Sequence, residues 1–165
     1  MRKIVVFAVA ALALSASFTA AQILPTLGER RAISAVEKDK FPAVQKRIQD
    51  AAGFEVAIKV DWNSLALPGD DQYYGQDDYL VKTVFLPIEN AMKNVAKDAM
   101  GKEALKAKLT TINIHYIDAG ISASAYKDRV KFGSGTLDIN FRPFTNSADV
   151  DERTNAIISV LEAAL

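Results

Sequence analysis

The fold is decided by residues 110–144, which read TTINIHYIDAGISASAYKDRVKFGSGTLDINFRPF. Apolar and polar residues alternate three times within this stretch, at 112–116, 122–126 and 136–141, with turn-forming residues between the alternating segments. A strand with this alternation buries one face and exposes the other, which is typical of an antiparallel sheet. The stretch therefore predicts three strands that share one apolar face and one polar face.

The remainder of the chain predicts one further strand and three helical regions. Residues 54–61 alternate in the same way, whereas 29–52, 78–109 and 150–165 carry apolar residues three or four positions apart. Pro42 and Pro87 interrupt the first two regions, so we expect a kink or a fresh start at each, and 79–86 also permits a strand. The order α-β-α-β-β-β-α predicts an α+β, two-layer sandwich. In this sandwich, a mostly antiparallel sheet of about four strands has all helices packed on one face.

The first 21 residues have the three parts of a secretory signal peptide. Two basic residues precede an apolar run from 4 to 14, and small residues follow up to Ala21, where we expect cleavage. The run is shorter than the roughly 20 residues that span a bilayer. We therefore predict a signal peptide at 1–21 and a single mature domain at 22–165, located in a bacterial periplasm or, as second choice, secreted. The chain has no cysteine, so this exported domain has no disulfides and relies on its core.

Composition argues against several classes of function. Removal of Arg2 and Lys3 with the signal leaves 18 basic against 20 acidic residues, a net charge of −2 without a basic cluster, which is unfavourable for binding nucleic acid. Without cysteine, and with a single histidine, the chain has no thiol nucleophile and no multi-histidine zinc motif. It also has no Gly-x-Ser-x-Gly elbow and no phosphate-binding glycine loop, and we expect no cofactor.

The polar face of the predicted sheet is the first candidate site. Its sharpest catalytic interpretation makes His115 a base, Asp138 the group that orients it, and Ser122 or Ser124 the nucleophile. A flat, wet sheet face lacks the pocket and the oxyanion donors that such chemistry needs. The same face could instead bind a ligand or partner, or a second copy of the chain in a homodimer, through Asn113, His115, Tyr126 and Asn140.

The segment 62–78 is the second candidate site. It is rich in aromatic residues that could meet a sugar ring or a partner chain, namely Trp62, Tyr73, Tyr74 and the following Tyr79. Its acidic residues, Asp70, Asp71, Asp77 and Asp78, could hold calcium or supply a carboxylate pair for sugar chemistry. Their spacing does not match an EF-hand loop. The third interpretation is a solvated loop whose tyrosines fold back onto the domain.

The sequence favours a small, exported, non-catalytic binding or protein-interaction domain for an unidentified ligand or partner of the cell envelope. The alternative is a small envelope hydrolase that uses His115 with Asp138 or the loop carboxylates. After removal of the signal we expect no membrane span.

Overall fold

The helical part of the chain accounts for most of its regular structure. The computed structural model describes residues 25–76 and 78–165, so the predicted signal peptide lies outside the described residues. The helices are α1 Leu27–Ala35, α2 Phe41–Ala52, α3 Trp62–Leu65, α4 Leu86–Val95, α5 Ala99–Lys108 and α6 Val150–Glu162. Within the described residues, no helix has the length and apolar character that crossing a bilayer requires.

Both helix-interrupting prolines follow a five-residue π-helical turn. These turns are Val36–Lys40, ahead of Pro42, and Val81–Phe85, ahead of Pro87. The N–H of the residue before each proline bonds to the carbonyl five positions back, not four. Since a proline ring clashes with the carbonyl four positions back, one extra residue in the turn lets the helix continue. The helical prediction for 78–109 is therefore confirmed near Pro87, and the alternative of a strand at 79–86 is wrong.

Four strands form one sheet. They are β1 Ala57–Val60, β2 Thr111–Ile114, β3 Val130–Gly133 and β4 Thr136–Ile139, in the spatial order β1-β2-β4-β3. The α+β prediction with four strands is confirmed, but the expectation of a mostly antiparallel sheet is wrong, because the sheet is mixed. Strand β2 is parallel to both β1 and β4, and only the β3–β4 pair is antiparallel. A helical crossover connects β1 to β2, so these two strands run parallel. Strand β3 lies outside β4 instead of between β2 and β4, so β2 and β4 are neighbours and also run parallel.

The strand expected at 122–126 does not form. These residues make a turn that leads into a 3₁₀ helix, Tyr126–Arg129, and the edge strand is β3 instead. The buried side chain of Arg129 donates hydrogen bonds to the main-chain carbonyls of Ile121 and Ser122, which a strand would have used in its ladder. The alternating residues of this segment are serine and alanine, so a strand there would have buried little apolar surface.

The sheet has one buried face and one open face. Its core-facing residues are Ile58, Val60, Ile112, Ile114, Val130, Phe132, Leu137 and Ile139. The open face carries Ala57, Lys59, Thr111, Asn113, Lys131, Thr136 and Asp138, all intermediate or exposed. Helix α4 lies between α2 and α6 in the covering layer. This confirms the two-layer arrangement and leaves a polar surface that no helix of the described residues covers.

A buried arginine fixes the connection between β4 and α6. Arg153 is fully buried, and its guanidinium donates to the carbonyls of Thr145, Asn146 (2.8 Å) and Asp149 (3.2 Å). Asp149 precedes α6, but its side chain makes no capping bond and accepts the Tyr126 hydroxyl instead. This loop is therefore held from within the core.

Candidate functional site

The open face is organised around one straight row of side chains. Lys59 on β1 is in register with Asn113 on β2, Asn113 with Asp138 on β4, and Asp138 with Lys131 on β3. Neighbouring strands lie about 4.8 Å apart, so the two lysines stand about 14 Å apart with polar groups between them. Neither lysine forms an ion pair with another described residue. The row thus presents two cationic ends and a hydrogen-bonding centre.

Asp138 connects the side chains of this face, because each of its two carboxylate oxygens contacts a different neighbour. The Asn113 amide donates to Oδ1 at 2.6 Å, and Nε2 of His115 lies 3.0 Å from Oδ2. His115 follows β2 directly, so the alternation of the strand puts it on the same face two residues after Asn113. Its side chain is 19% exposed and that of Asp138 is 36% exposed. The network is therefore accessible while its members hold one another in position.

The structure does not bring the two serines to this dyad. The hydroxyl oxygens of Ser122 and Ser124 lie 3.1 Å from each other, in the turn that precedes the 3₁₀ helix. In the described part of the chain, neither serine hydroxyl forms a hydrogen bond with His115. The paired His115 and Asp138 could polarise a water molecule, but the arrangement supplies no adjacent nucleophile.

Two other predicted contact residues use their polar atoms inside the protein. The Asn140 amide accepts the N–H of Ile117 at 2.7 Å and donates to its carbonyl at 3.0 Å, so it extends the pairing of β2 and β4 by one step. The Tyr126 hydroxyl donates to Asp149 at 2.7 Å, and its ring lies 4.5 Å from the Arg153 guanidinium. Burial, followed by the bond to Asp149, raises the pKa of Tyr126.

Most of the predicted aromatic surface packs against the domain. The Trp62 ring lies against Phe41, with centroids 5.0 Å apart. Tyr74 is buried; its hydroxyl bonds to two main-chain groups of the α3 end, and burial raises its pKa. Tyr73 is 36% exposed, and its ring centroid lies 6.1 Å from that of Tyr79. Tyr73 is thus the most exposed ring of this group, whereas Trp62 and Tyr79 are half-buried.

The acidic residues of the loop make separate contacts. Asp78 pairs with Lys40 at 2.6 Å, and this hydrogen bond and charge lower its pKa. Burial raises the pKa of Asp70, while Asp71 accepts the N–H of the next residue. Asp77 lies outside the described residues. Among all the described residues, this loop included, no group of three or more histidine, aspartate or glutamate residues could hold a metal ion.

Sequence reasoning misses Lys131, because it does not predict the strand that carries it. A signal for this strand exists: Val130 and Phe132 alternate with Lys131 immediately before the turn Gly133-Ser134-Gly135. The more regular alternation at 122–126 competes with it. With β3 in its observed place, Lys131 faces Asp138 directly across an antiparallel pair.

Comparison with protein-family models, with curated proteins and with solved structures gave no match.

Proposed function

We propose that the protein is a small, exported, non-catalytic binding domain whose recognition surface is the open face of the sheet. The observation that carries this proposal is the Asn113–Asp138–His115 network, which is ordered by its own hydrogen bonds yet partly exposed on a face that no described helix covers. Side chains held in this way lose little conformational freedom on binding, which favours recognition. We place the protein in the periplasm.

The size of the face indicates a modest affinity. Four strands of four residues cover an area of about 19 by 13 Å. This area is well below the roughly 800 Å² that each partner buries in a stable protein complex. A partner that contacts only the face should bind transiently, unless it also contacts the neighbouring segment 117–125.

Capture experiments with matched variants test this surface. His115→Ala and Lys131→Ala alter the open face, and Lys106→Ala alters an exposed position on α5 in the helical layer. The mature domain, immobilised and incubated with an envelope extract, should retain the same component with the wild type and Lys106→Ala. Both open-face variants should lose it. Equal retention by all four proteins, or loss with Lys106→Ala alone, contradicts the proposal.

The 3.0 Å contact of His115 with Asp138 supports a second candidate function, a small envelope hydrolase. In that case His115 would activate a water molecule and Asp138 would hold the imidazole in one tautomer. The test is to incubate the purified domain with isolated cell-wall material and measure soluble products. Release that His115→Ala abolishes, while Lys106→Ala preserves it, would replace the binding function with the catalytic one.

Export is part of the proposal and has its own test. Signal peptidase cleavage after Ala21 leaves Gln22 as the first residue. Mass spectrometry of the protein recovered from a periplasmic fraction should give a chain that starts at Gln22. Recovery of a chain that retains residues 1–21 from the cytoplasm contradicts this part.

A further inference from the structure

Strand β1 lies at one edge of the sheet, and its outer main-chain groups have no partner among the described residues. The N–H of Ala57 bonds to Thr110 and that of Asp61 to Ile114, so the odd-numbered residues of β1 point towards β2. The N–H and C=O groups of Ile58 and Val60 therefore point outward. Four main-chain hydrogen-bonding groups are offered along this edge.

The contacts of Val56 define where the unpaired edge of β1 begins. The Val56 carbonyl accepts the Gln49 side chain at 3.0 Å, and the Val56 N–H bonds to the carbonyl of Phe54 at 3.0 Å. A strand added to β1 therefore meets no available main-chain group before Ile58. It would pair with Ile58 and Val60, which together make four hydrogen bonds with one antiparallel partner.

Side-chain burial also distinguishes β1 from the inner strands. Ile112 and Ile114 on β2, like Leu137 and Ile139 on β4, are fully buried. The equivalent core-facing residues of β1, Ile58 and Val60, remain partly exposed. An apolar pair in this position would gain cover from a strand added at the edge.

We propose that a second copy of this chain adds to β1 as an antiparallel strand, with Ile58 opposite Val60 of the second copy. This register is symmetric, since Val60 then lies opposite Ile58 of the second copy. It satisfies all four outward main-chain groups of each copy. It also places isoleucine and valine side chains directly against each other on the core-facing side.

The charges on the open face complement one another in the same register. The twofold axis passes between the two copies of Lys59, which face each other directly and repel. Asp61 lies two residues further on, so each Lys59 has Asp61 of the second copy as its diagonal neighbour, within reach of a long side chain. The two attractive diagonals offset the single repulsion. This charge pattern favours a second copy over a partner strand of unrelated sequence.

Such a dimer would form one eight-stranded sheet with a continuous open face. The added interface is short, so we expect a weak, concentration-dependent dimer instead of a permanent one. The inference is independent of the proposed recognition function, because it rests on the β1 edge and not on His115 or Lys131.

Two measurements on the mature wild-type protein test the dimer. Sedimentation should give a mass that rises from one to two chains with concentration, up to about 1 mM. Amide hydrogen exchange should show Ile58 and Val60 becoming protected over the same range. Lys59, whose N–H faces β2, serves as the internal control and should be protected throughout. A monomer with unprotected Ile58 and Val60 at every concentration overturns the proposal. So does a monomer in which these amides are always protected, since its own chain then covers the edge.

A charge exchange separates the dimer from effects on folding. Asp61→Lys puts four positive charges together around the axis, two from each copy, and should raise the dimer dissociation constant about tenfold. The double variant Lys59→Glu with Asp61→Lys restores opposite charges on the diagonals and should recover most of the affinity. Both variants lose the Asp61 cap of α3 equally, so they are matched in that respect. Equal dissociation constants for the single and double variants contradict the register.

Discussion

Arg153→Met is the substitution whose effect follows most directly from the buried contacts. Methionine keeps an unbranched apolar stem in the core but removes the guanidinium. The carbonyls of Thr145, Asn146 and Asp149 then lose their donor. The ring of Tyr126, 4.5 Å from the guanidinium carbon, loses its cationic neighbour at the same time.

The expected loss of stability can be built from these contacts. A hydrogen bond to a charged donor contributes about 1.5–3 kcal/mol, so the two shorter bonds to this loop contribute about 3–6 kcal/mol. Against this stands the cost of burying the guanidinium, which also lowers the pKa of Arg153. The Nε atom of Arg153 is itself buried and has no hydrogen-bond partner among the described residues, which adds to that cost. The net loss should be about 2–4 kcal/mol.

Urea unfolding followed by the fluorescence of Trp62, the single tryptophan, measures this loss at neutral pH. Arg153→Lys should recover less than half of it, because an ammonium cannot bridge the same carbonyls as a planar guanidinium. Arg31→Met, at an exposed position of α1, is the control and should change the free energy of unfolding by less than about 0.5 kcal/mol. An Arg153→Met variant within about 1 kcal/mol of the wild type would refute the reasoning.

Three further substitutions or conditions test the packing of the domain by the same unfolding assay. Gly101→Ala should lower the free energy of unfolding by about 1–3 kcal/mol, because the added Cβ would collide with a main-chain carbonyl at the end of α4. Gly75→Ala is the control and should be neutral, because open space surrounds Gly75. Equal effects of the two substitutions would contradict this. Tyr74→Phe should cost about 1–2 kcal/mol because two main-chain groups lose their bonds to the hydroxyl, and a neutral result would count against the observed contacts. The bond from the Thr26 hydroxyl lowers the pKa of Glu29. The stability that the folded state gains from ionised Glu29 is therefore complete above pH 4.5 and is lost as the pH falls further. Glu29→Gln should remove that part of the acid dependence of unfolding, and an unchanged pH profile of stability would contradict this.

The sequence predicts the elements whose periodicity is carried by large apolar residues. β2 and β4 alternate isoleucine or leucine with polar residues, and both form as expected. The contact of His115 with Asp138 also follows from the predicted polar face, since neighbouring strands bring outward-facing residues together. These features depend on local pattern, which is readable from the chain.

What the sequence does not predict depends on contacts between distant residues. The segment 122–126 alternates as well as any strand, but Arg129 takes its carbonyls out of the ladder. Asp149 is placed to cap α6, but the Tyr126 hydroxyl, 23 residues away, binds its carboxylate instead. Strand order likewise follows from how the crossovers pack, so alternation alone does not reveal that β2 lies parallel to β4.

The central claim is that the open sheet face, and not the helical layer, meets a partner in the envelope. A photo-crosslinking amino acid, introduced at position 131 in one strain and at position 106 in another, tests this in intact cells. Both positions are exposed, but position 131 lies on the open sheet face and position 106 lies on the helical layer. We predict an adduct from position 131 whose mass is neither that of the monomer nor that of two copies, and none from position 106. An adduct from position 106 alone, or from neither position, would contradict the claim.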